Sequence, residues 1–578
     1  MSISTSTGAY EEYRRAEEEI PARALAWNLY GTGVEQMGRD GHPEAVAVAA
    51  PAPNQLLIRV DAVGLCFSDV KLMRLGGDHP KLYGRDLSIE PTRVGHETSV
   101  TVVAVGDALA DRFHRGQRLA IQPDIYVDGR STAYGYTIPG GLIEYHVIGP
   151  EVLEADDGAY VIPVDERLGY AETALTEPWA CVEAAYTQRR RLSPLAGGRM
   201  LIVGRATDGR AYDVSGVVVG REVLLVGVSD EVAGAVRREA PPDARVAVVD
   251  VDQAVAAAPF DDIILLSPHD AGEVSRWSDA LAFRGLLNLV ADEPLGGPVD
   301  IDIGRIHYHY VAYVGTTGVR IAAAYWEVRN RAELRPGGVT VVIGAAGPMG
   351  QMHIERALSL ADGPRLVIGV DLDADRLAAA RERLEAVASA RHRPLAVELL
   401  GGEAGALAAA IGRHSDGPPD DVVVTAPSVA AVQAATEVMA PDGMLVVFAG
   451  VPVGTRAALD LSPVFLHGAQ LTGTSGSRIA DQALVVDKTL AGQLEPGRAL
   501  AAVGGMESAP DALRALMEGR FPGKIVIFPS LRDLPVTPLT QIGRLDPDVQ
   551  AALQPDGSWS RGAEALLFAH HLRHTPGQ

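Results

Sequence analysis

The stretch VTVVIGAAGPMGQMHIERAL, residues 339–358, reads as a β-run, a glycine-rich turn and the start of a helix. Gly344, Gly347 and Gly350 let the backbone turn tightly and let a pyrophosphate approach the positive end of the helix, with Pro348 and Met349 completing the turn. A glycine-rich turn alone is a weak signal, but the required context follows. The next β-run, PRLVIGV, ends in Asp371, 21 residues beyond Gly350, close to the ~20 expected for an acid that hydrogen-bonds a ribose. A carboxylate there repels a 2′-phosphate, so NAD is expected in preference to NADP. Arg376, in DLDADRL, joins the expected cofactor-binding set.

Outward from this turn the β/α alternation occurs twice, and the two halves match in order. EAAYTQRRRLSPLAGGRMLIVG (183–204) resembles AAAYWEVRNRAELRPGGVTVVIG (322–344), and EVLLVGVSDEVAGAVRREA (222–240) resembles RLVIGVDLDADRLAAARERLEA (365–386). FDDIILLSP (260–268) pairs with PDDVVVTAP (419–427), and the stretch 283–318 pairs with 441–476. Four ordered matches imply an internal repeat of doubly wound, parallel-sheet domains, expected at 194–332 and 333–494. The first copy lacks the cofactor chemistry. GRMLIVG is followed by RATDGRAYDVSGVVVG, too short and too poor in glycine for the turn and a full helix, and Ser229 stands where the second copy has Asp371. It is expected to be a degenerate scaffold.

Before the repeat, residues 23–193 carry short alternating runs such as NQLLIRVDAVGLC and SVTVVAVGD, bounded by Gly, Pro and Asp, the pattern of a β-rich domain. The strand–helix–strand at 495–530 is expected to complete it. Residues 1–22 read as a charged helical extension, and 531–578 as a loop and a helix at about 560–573. The net charge of −23 argues against nucleic acid or an anionic membrane as partner. No apolar run reaches the ~20 residues of a membrane span, and the acidic N-terminus has no hydrophobic signal core, so a cytoplasmic protein is expected. Two cysteines in the chain, Cys66 and Cys181, exclude a disulfide framework.

Cys66 stands in GLCFSD, His96 and Glu97 in VGHE, and Glu177 in LTEPWACVEAAY. Thiolate, imidazole and carboxylate are ligands that zinc accepts, and a catalytic zinc needs three of them with one position open. Singly each has an ordinary structural reading, a buried thiol or a helix start. Together and in this order they resemble the zinc-containing medium-chain dehydrogenases, above all the sorbitol and other polyol dehydrogenases. GAAGPMGQMH resembles the sugar-phosphate and sorbose-phosphate reductases.

The resemblance implies a GroES-like catalytic domain beside the Rossmann-like domains and one catalytic zinc, held by Cys66 and His96 with Glu177 or Glu97 as third ligand. It implies that Asp69 orients His96 from behind, and that Ser68 passes the substrate proton outward. Lys71 stands where relatives often carry a relay histidine, though a solvated surface lysine is the plainer reading. Cys181 is read as packing. The family's second, structural zinc needs four cysteines and is impossible here, so DIYVDGRSTAYGYTIPGG (124–141) must be held by hydrogen bonds and packing. The expected reaction is hydride transfer between NAD and a secondary alcohol, a polyol, sugar or sugar phosphate. An NADPH-dependent reductase of the same fold and a non-catalytic scaffold are the alternatives. The resemblance also suggests that the first copy replaces a dimer partner within one chain, with 309–318 beside 469–476, while a homo-oligomer stays open.

Overall fold

The computed structural model describes residues 3–325 and 330–572, with side chains from residue 8 onward; part of the expected repeat match at 322–330 lies outside them. The chain forms two units, Met1–Ala184 with Gly476–Gln578, and Ala185–Ser475. Among the described residues no helix is long and apolar enough to cross a membrane.

The first unit is built on a mixed, mostly antiparallel sheet in the order Thr537–Pro538, Leu500–Gly505, Lys524–Phe528, Leu56–Leu65, Glu97–Val105, Arg118–Ile121, Val161–Val164. The C-terminal strands therefore complete the N-terminal sheet, Ile525 pairing with Leu65 and Ile527 with Val63. Every position of Leu56–Leu65 is buried, which forces its two charges, Arg59 and Asp61, to find partners. Arg59 Nε donates to Asp61 at 2.8 Å, and Nη1 donates to the Tyr13 carbonyl at 2.8 Å.

That last bond explains a departure from the expected 1–22 helix, which spans Ile3–Arg14 only. A terminal carbonyl of the helix is taken by the buried guanidinium, and Ala16 turns the chain at φ 54°. The C-terminal helix Arg561–His571 lies against this extension, with the Phe568 ring 5.7 Å from that of Tyr10 and 5.3 Å from that of Tyr13.

The second unit holds two six-stranded parallel sheets of identical order. The first runs Arg245–Val248, Glu222–Val226, Arg199–Val203, Phe260–Leu266, Leu281–Val290, Ala312–Thr316. The other runs Leu395–Leu399, Leu366–Asp371, Val339–Ile343, Asp421–Val424, Met444–Val447, Gln470–Gly473. Both are wound 3-2-1-4-5-6, the order of dinucleotide-binding sheets, and the central strands are mostly buried and rich in Val, Ile and Leu, as parallel strands covered on both faces are. The copies differ at the first crossover. Val339–Ile343 is followed by the helix Pro348–Ser359, whereas no helix lies between Val203 and Glu222. Instead Tyr212 Oη donates to Asp208 at 2.6 Å and Ser267 Oγ to the same carboxylate oxygen at 2.9 Å, filling the end of the sheet with side chains.

The unit boundary falls at 475/476, not at the 494/495 read from the repeat. The helix Ile479–Leu490 is tied to the first unit: Gln482 donates to Thr176 Oγ1 at 3.1 Å and Lys488 pairs with Glu183 at 2.8 Å.

Candidate functional site

Cys66 caps the helix Phe67–Leu75 at the end of the buried strand Leu56–Leu65. Its backbone N–H donates to Asp69 Oδ2 at 2.9 Å, fixing the turn that presents the thiol. His96 and Glu97 open the neighbouring strand, where Gly95 at φ 93° lets the chain enter the sheet without a Cβ against Val63. A ligand atom from each of Cys66, His96 and Glu97 lies within 4.8 Å of the other two.

The surroundings aim these atoms. Asp69 Oδ1 accepts from the Gly95 N–H at 3.0 Å and sits 3.2 Å from His96 Nδ1, which leaves Nε2 to face Cys66, as a carboxylate behind a ligating imidazole does. Burial would raise the Asp69 carboxyl, but His96 and the two backbone donors hold it below the usual range. Ser68 Oγ lies 3.0 Å from the Cys66 sulfur and 3.3 Å from His96 Nε2.

Glu97 is fully buried. One carboxylate oxygen pairs with the buried Lys524 ammonium, while Oε2 has no partner among the described residues. Gly64 makes the space for it, since a Cβ there would lie 2.1 Å from Oε2. A buried carboxylate oxygen without a donor is costly, and the carboxylate that carries it belongs to the group that also offers a thiol and an imidazole nitrogen. The residues therefore fit a divalent, zinc-like ion.

Glu177 is outside the three-residue group. It accepts from the Cys181 thiol at 3.6 Å, and burial, with Glu97 and Asp124 adding to it and His96 and Lys524 opposing it, pushes its carboxyl up to about 7. Burial and Glu177 likewise push the Cys181 thiol up, which makes it a poor thiolate ligand. Lys71 is on the exposed face of its helix.

Residues that patterning did not flag complete the surroundings. Lys524 is one; a lysine inside the apolar run KIVIF was the available signal. The Tyr136 ring lies 6.0 Å from His96 and 5.1 Å from His79, and Lys81 reaches over it to pair with Asp124 at 2.8 Å. The cysteine-poor stretch 124–141 is held by a hairpin, Tyr126–Val127 against Arg130–Ser131, with Asp128 and Gly129 at positive φ and their N–H groups donating to Asp156 at 2.8 and 2.7 Å.

The glycine turn of the second unit has the expected shape. Gly344 is at φ 89°, and a Cβ on Gly350 would lie 2.1 Å from the Gly344 carbonyl oxygen, so strand and helix meet only through glycine. Gly347 caps the helix, with Pro348 and Met349 in its first turn. Asp371 accepts from the Ala346 N–H at 2.9 Å, which brings the acid onto the turn. Arg376 Nε is buried without a partner among the described residues, and its guanidinium is 3.7 Å from where a Gly347 Cβ would be.

The family profile of the alcohol dehydrogenase GroES-like domain matches residues 52–155. L-sorbose 1-phosphate reductase of Klebsiella pneumoniae is 26% identical over 321 residues, covering 51% of this chain and 75% of its own. Sorbitol dehydrogenase of Bombyx mori is 39% identical over 198 residues, 32% of this chain and 52% of its own. The crystal structure of 2R,3R-butanediol dehydrogenase from Bacillus subtilis shares the fold at a TM-score of 0.51 and 15% identity, covering 88% of this chain and 99% of its own.

Proposed function

Because the chain belongs to the zinc-type medium-chain dehydrogenase/reductase family, we propose that it oxidises a secondary alcohol, a polyol, sugar or sugar phosphate, with NAD as hydride acceptor, or runs the reverse reduction. It is an oxidoreductase of the alcohol/polyol dehydrogenase type; the metal, the cofactor and the substrate class are the proposal. The observation that carries it is the convergence of ligand atoms from Cys66, His96 and Glu97 within 4.8 Å of one another, on a buried carboxylate that keeps one oxygen without a partner among the described residues.

In this reading Cys66, His96 and Glu97 hold one zinc ion, and Glu177 stands by as a second carboxylate. Bound there, the ion supplies Lewis acidity to a substrate hydroxyl. Asp69 keeps the His96 proton on Nδ1 and so keeps Nε2 a ligand. Ser68 Oγ, between the sulfur and the imidazole, takes the hydroxyl proton while giving up its own to solvent water; Lys71, an exposed ammonium, is not needed as an acceptor. Tyr136, His79 and the Lys81–Asp124 pair give the surroundings a polar character that suits a hydroxyl-rich substrate. Gly344, Gly347, Pro348, Met349 and Gly350 cradle the pyrophosphate, and Asp371 accepts from the ribose hydroxyls.

The Arg376 guanidinium supports a second reading. A cation with a free buried Nε beside Gly347 could receive a 2′-phosphate, which would make the enzyme an NADPH-dependent reductase. Metal analysis joined to a screen of NAD and NADP reduction over sugar alcohols and sugar phosphates tests both. Wild type should carry one zinc per chain and prefer NAD, and Cys66→Ser should lose zinc and turnover together. A Cys66→Ser protein with full activity would sink the proposal.

A further inference from the structure

The two copies of the second unit face each other about a pseudo-two-fold axis. From 283–318 to 441–476 they correspond at a constant offset of 158 residues. Val299–Asp302 of the first pairs antiparallel with Arg456–Leu459 of the second, through Val299↔Leu459, Asp300↔Ala458 and Ile301↔Ala457. The offset converts the first of these pairs into the third and the middle pair into itself, which is the signature of an isologous contact. The helices that follow obey the same rule. A Cβ on Gly315 would lie 2.4 Å from Phe465 Cβ, and a Cβ on the equivalent Gly473 would lie 3.1 Å from Cα of the equivalent residue, His307. Each copy packs a short helix onto the edge strand of the other.

The geometry is symmetric but the chemistry is not. On the first copy's edge the second copy lays Phe465 and Leu466, with Gly468 behind them. On the second copy's edge the first lays His307 and Tyr308, with Tyr310 in the place of that glycine. These polar groups are used. His307 Nδ1 is 3.2 Å from the Val447 carbonyl oxygen, which requires the proton on Nδ1. Tyr308 Oη is 2.6 Å from where a Cβ on Gly450 would be, so the end of the tyrosine ring closes on the turn at that position. Tyr310 Oη donates to the Ser475 carbonyl at 2.8 Å. Val447–Gly450 and Gly473–Ser475 are the segments that leave the carboxyl ends of Met444–Val447 and Gln470–Gly473, the end of a doubly wound sheet at which ligands bind.

We propose that the first copy is a built-in partner whose His307, Tyr308 and Tyr310 are positioning residues for the cofactor site of the second. His307 and Tyr310 tie the Val447 and Ser475 peptides from outside, Tyr308 packs against the Gly450 turn, and together they set the direction of the backbone groups that meet the nicotinamide half of the dinucleotide. The adenosine half, on the Gly344–Gly350 turn and Asp371, is out of their reach. This rests on the reading that the second copy binds a nicotinamide dinucleotide.

The test replaces His307→Phe with Tyr308→Leu, the residues the other copy uses, and separately Tyr310→Phe, which removes one hydroxyl. Affinity is measured in the full chain for NADH or NADPH, whichever wild type binds, and for the matching ADP-ribose or 2′-phospho-ADP-ribose, which lacks the nicotinamide. Loss of one or two hydrogen bonds to the binding segments should weaken the reduced dinucleotide about tenfold and leave the ADP-ribose within about twofold. Equal losses for both ligands, or no loss for either, would overturn the positioning role while leaving the cofactor reading in place. Wild type that binds neither dinucleotide nor ADP-ribose would remove both.

Discussion

In the zinc-free protein, deleting the Lys524 ammonium would take from the buried Glu97 carboxylate its ion-pair partner. Breaking a buried pair from one side costs about 3–5 kcal/mol, whereas replacing both partners is far cheaper. Lys524→Met is therefore expected to lower unfolding free energy by about that amount in urea titrations, and Lys524→Met with Glu97→Gln to recover most of it. The same carboxylate allows the third ligand to be identified. Glu97 lies in the three-residue group and Glu177 does not, so Glu97→Gln should weaken zinc binding about 10–100-fold in competition with a chelating dye, and Glu177→Gln by less. Equal effects would move Glu177 into the coordination shell. Cys66, His96 and Asp69 could be read from the sequence because each sits in a short motif. Lys524 could not, because its partner is 427 residues away and no local pattern records a pairing across that distance.

At the scale of elements, the helix after the glycine turn carries a pH-sensitive group. His353 is wholly buried, its Nδ1 2.7 Å from Tyr186 Oη, and burial with Arg356 nearby lowers it to about 3 from the ordinary 6.5. Its folded form stays neutral while the unfolded chain takes up a proton below 6.5. The stability it contributes is therefore intact above pH 6.5 and falls as the pH drops from there towards 3. Between pH 6.5 and 4.5 that single group accounts for a loss on the order of 2 kcal/mol. His353→Gln should be less stable than wild type at neutral pH, because the buried Tyr186–His353 hydrogen bond is lost, but should lose less on acidification; an unchanged acid slope in denaturant titrations would contradict this. The strands of the second sheet were legible, since uninterrupted Val and Ile runs between turn residues leave few other folds. The hairpin at Tyr126–Ser131 was equally legible: Asp128–Gly129 is the two-residue turn signal, and it stands between two short runs in a stretch without cysteines. The end of the Ile3–Arg14 helix was not legible, because a buried guanidinium from another strand decides it.

For the whole molecule, the question is whether the two copies of the second unit are one body or two. One apolar cluster spans both copies, and in it Leu287, Leu289 and Tyr313 of the first sheet join Leu445, Val447 and Leu471 of the second. The edge strands Ala312–Thr316 and Gln470–Gly473 lie against one another without sharing a sheet. An exposed edge strand invites pairing with another chain, and here each edge is covered from within. Phe465 is the apolar centre of this contact, fully buried and in van der Waals range of Gly315. Truncating such a ring costs about 3–5 kcal/mol. If the copies are one cooperative body, Phe465→Ala lowers the hydrogen-exchange protection of Ala312–Thr316 and of Gln470–Gly473 by similar amounts, although the substitution lies in the second copy only. If protection falls in one strand and holds in the other, the copies are independent domains. The cofactor site would then have to be formed by the second copy without help from its neighbour.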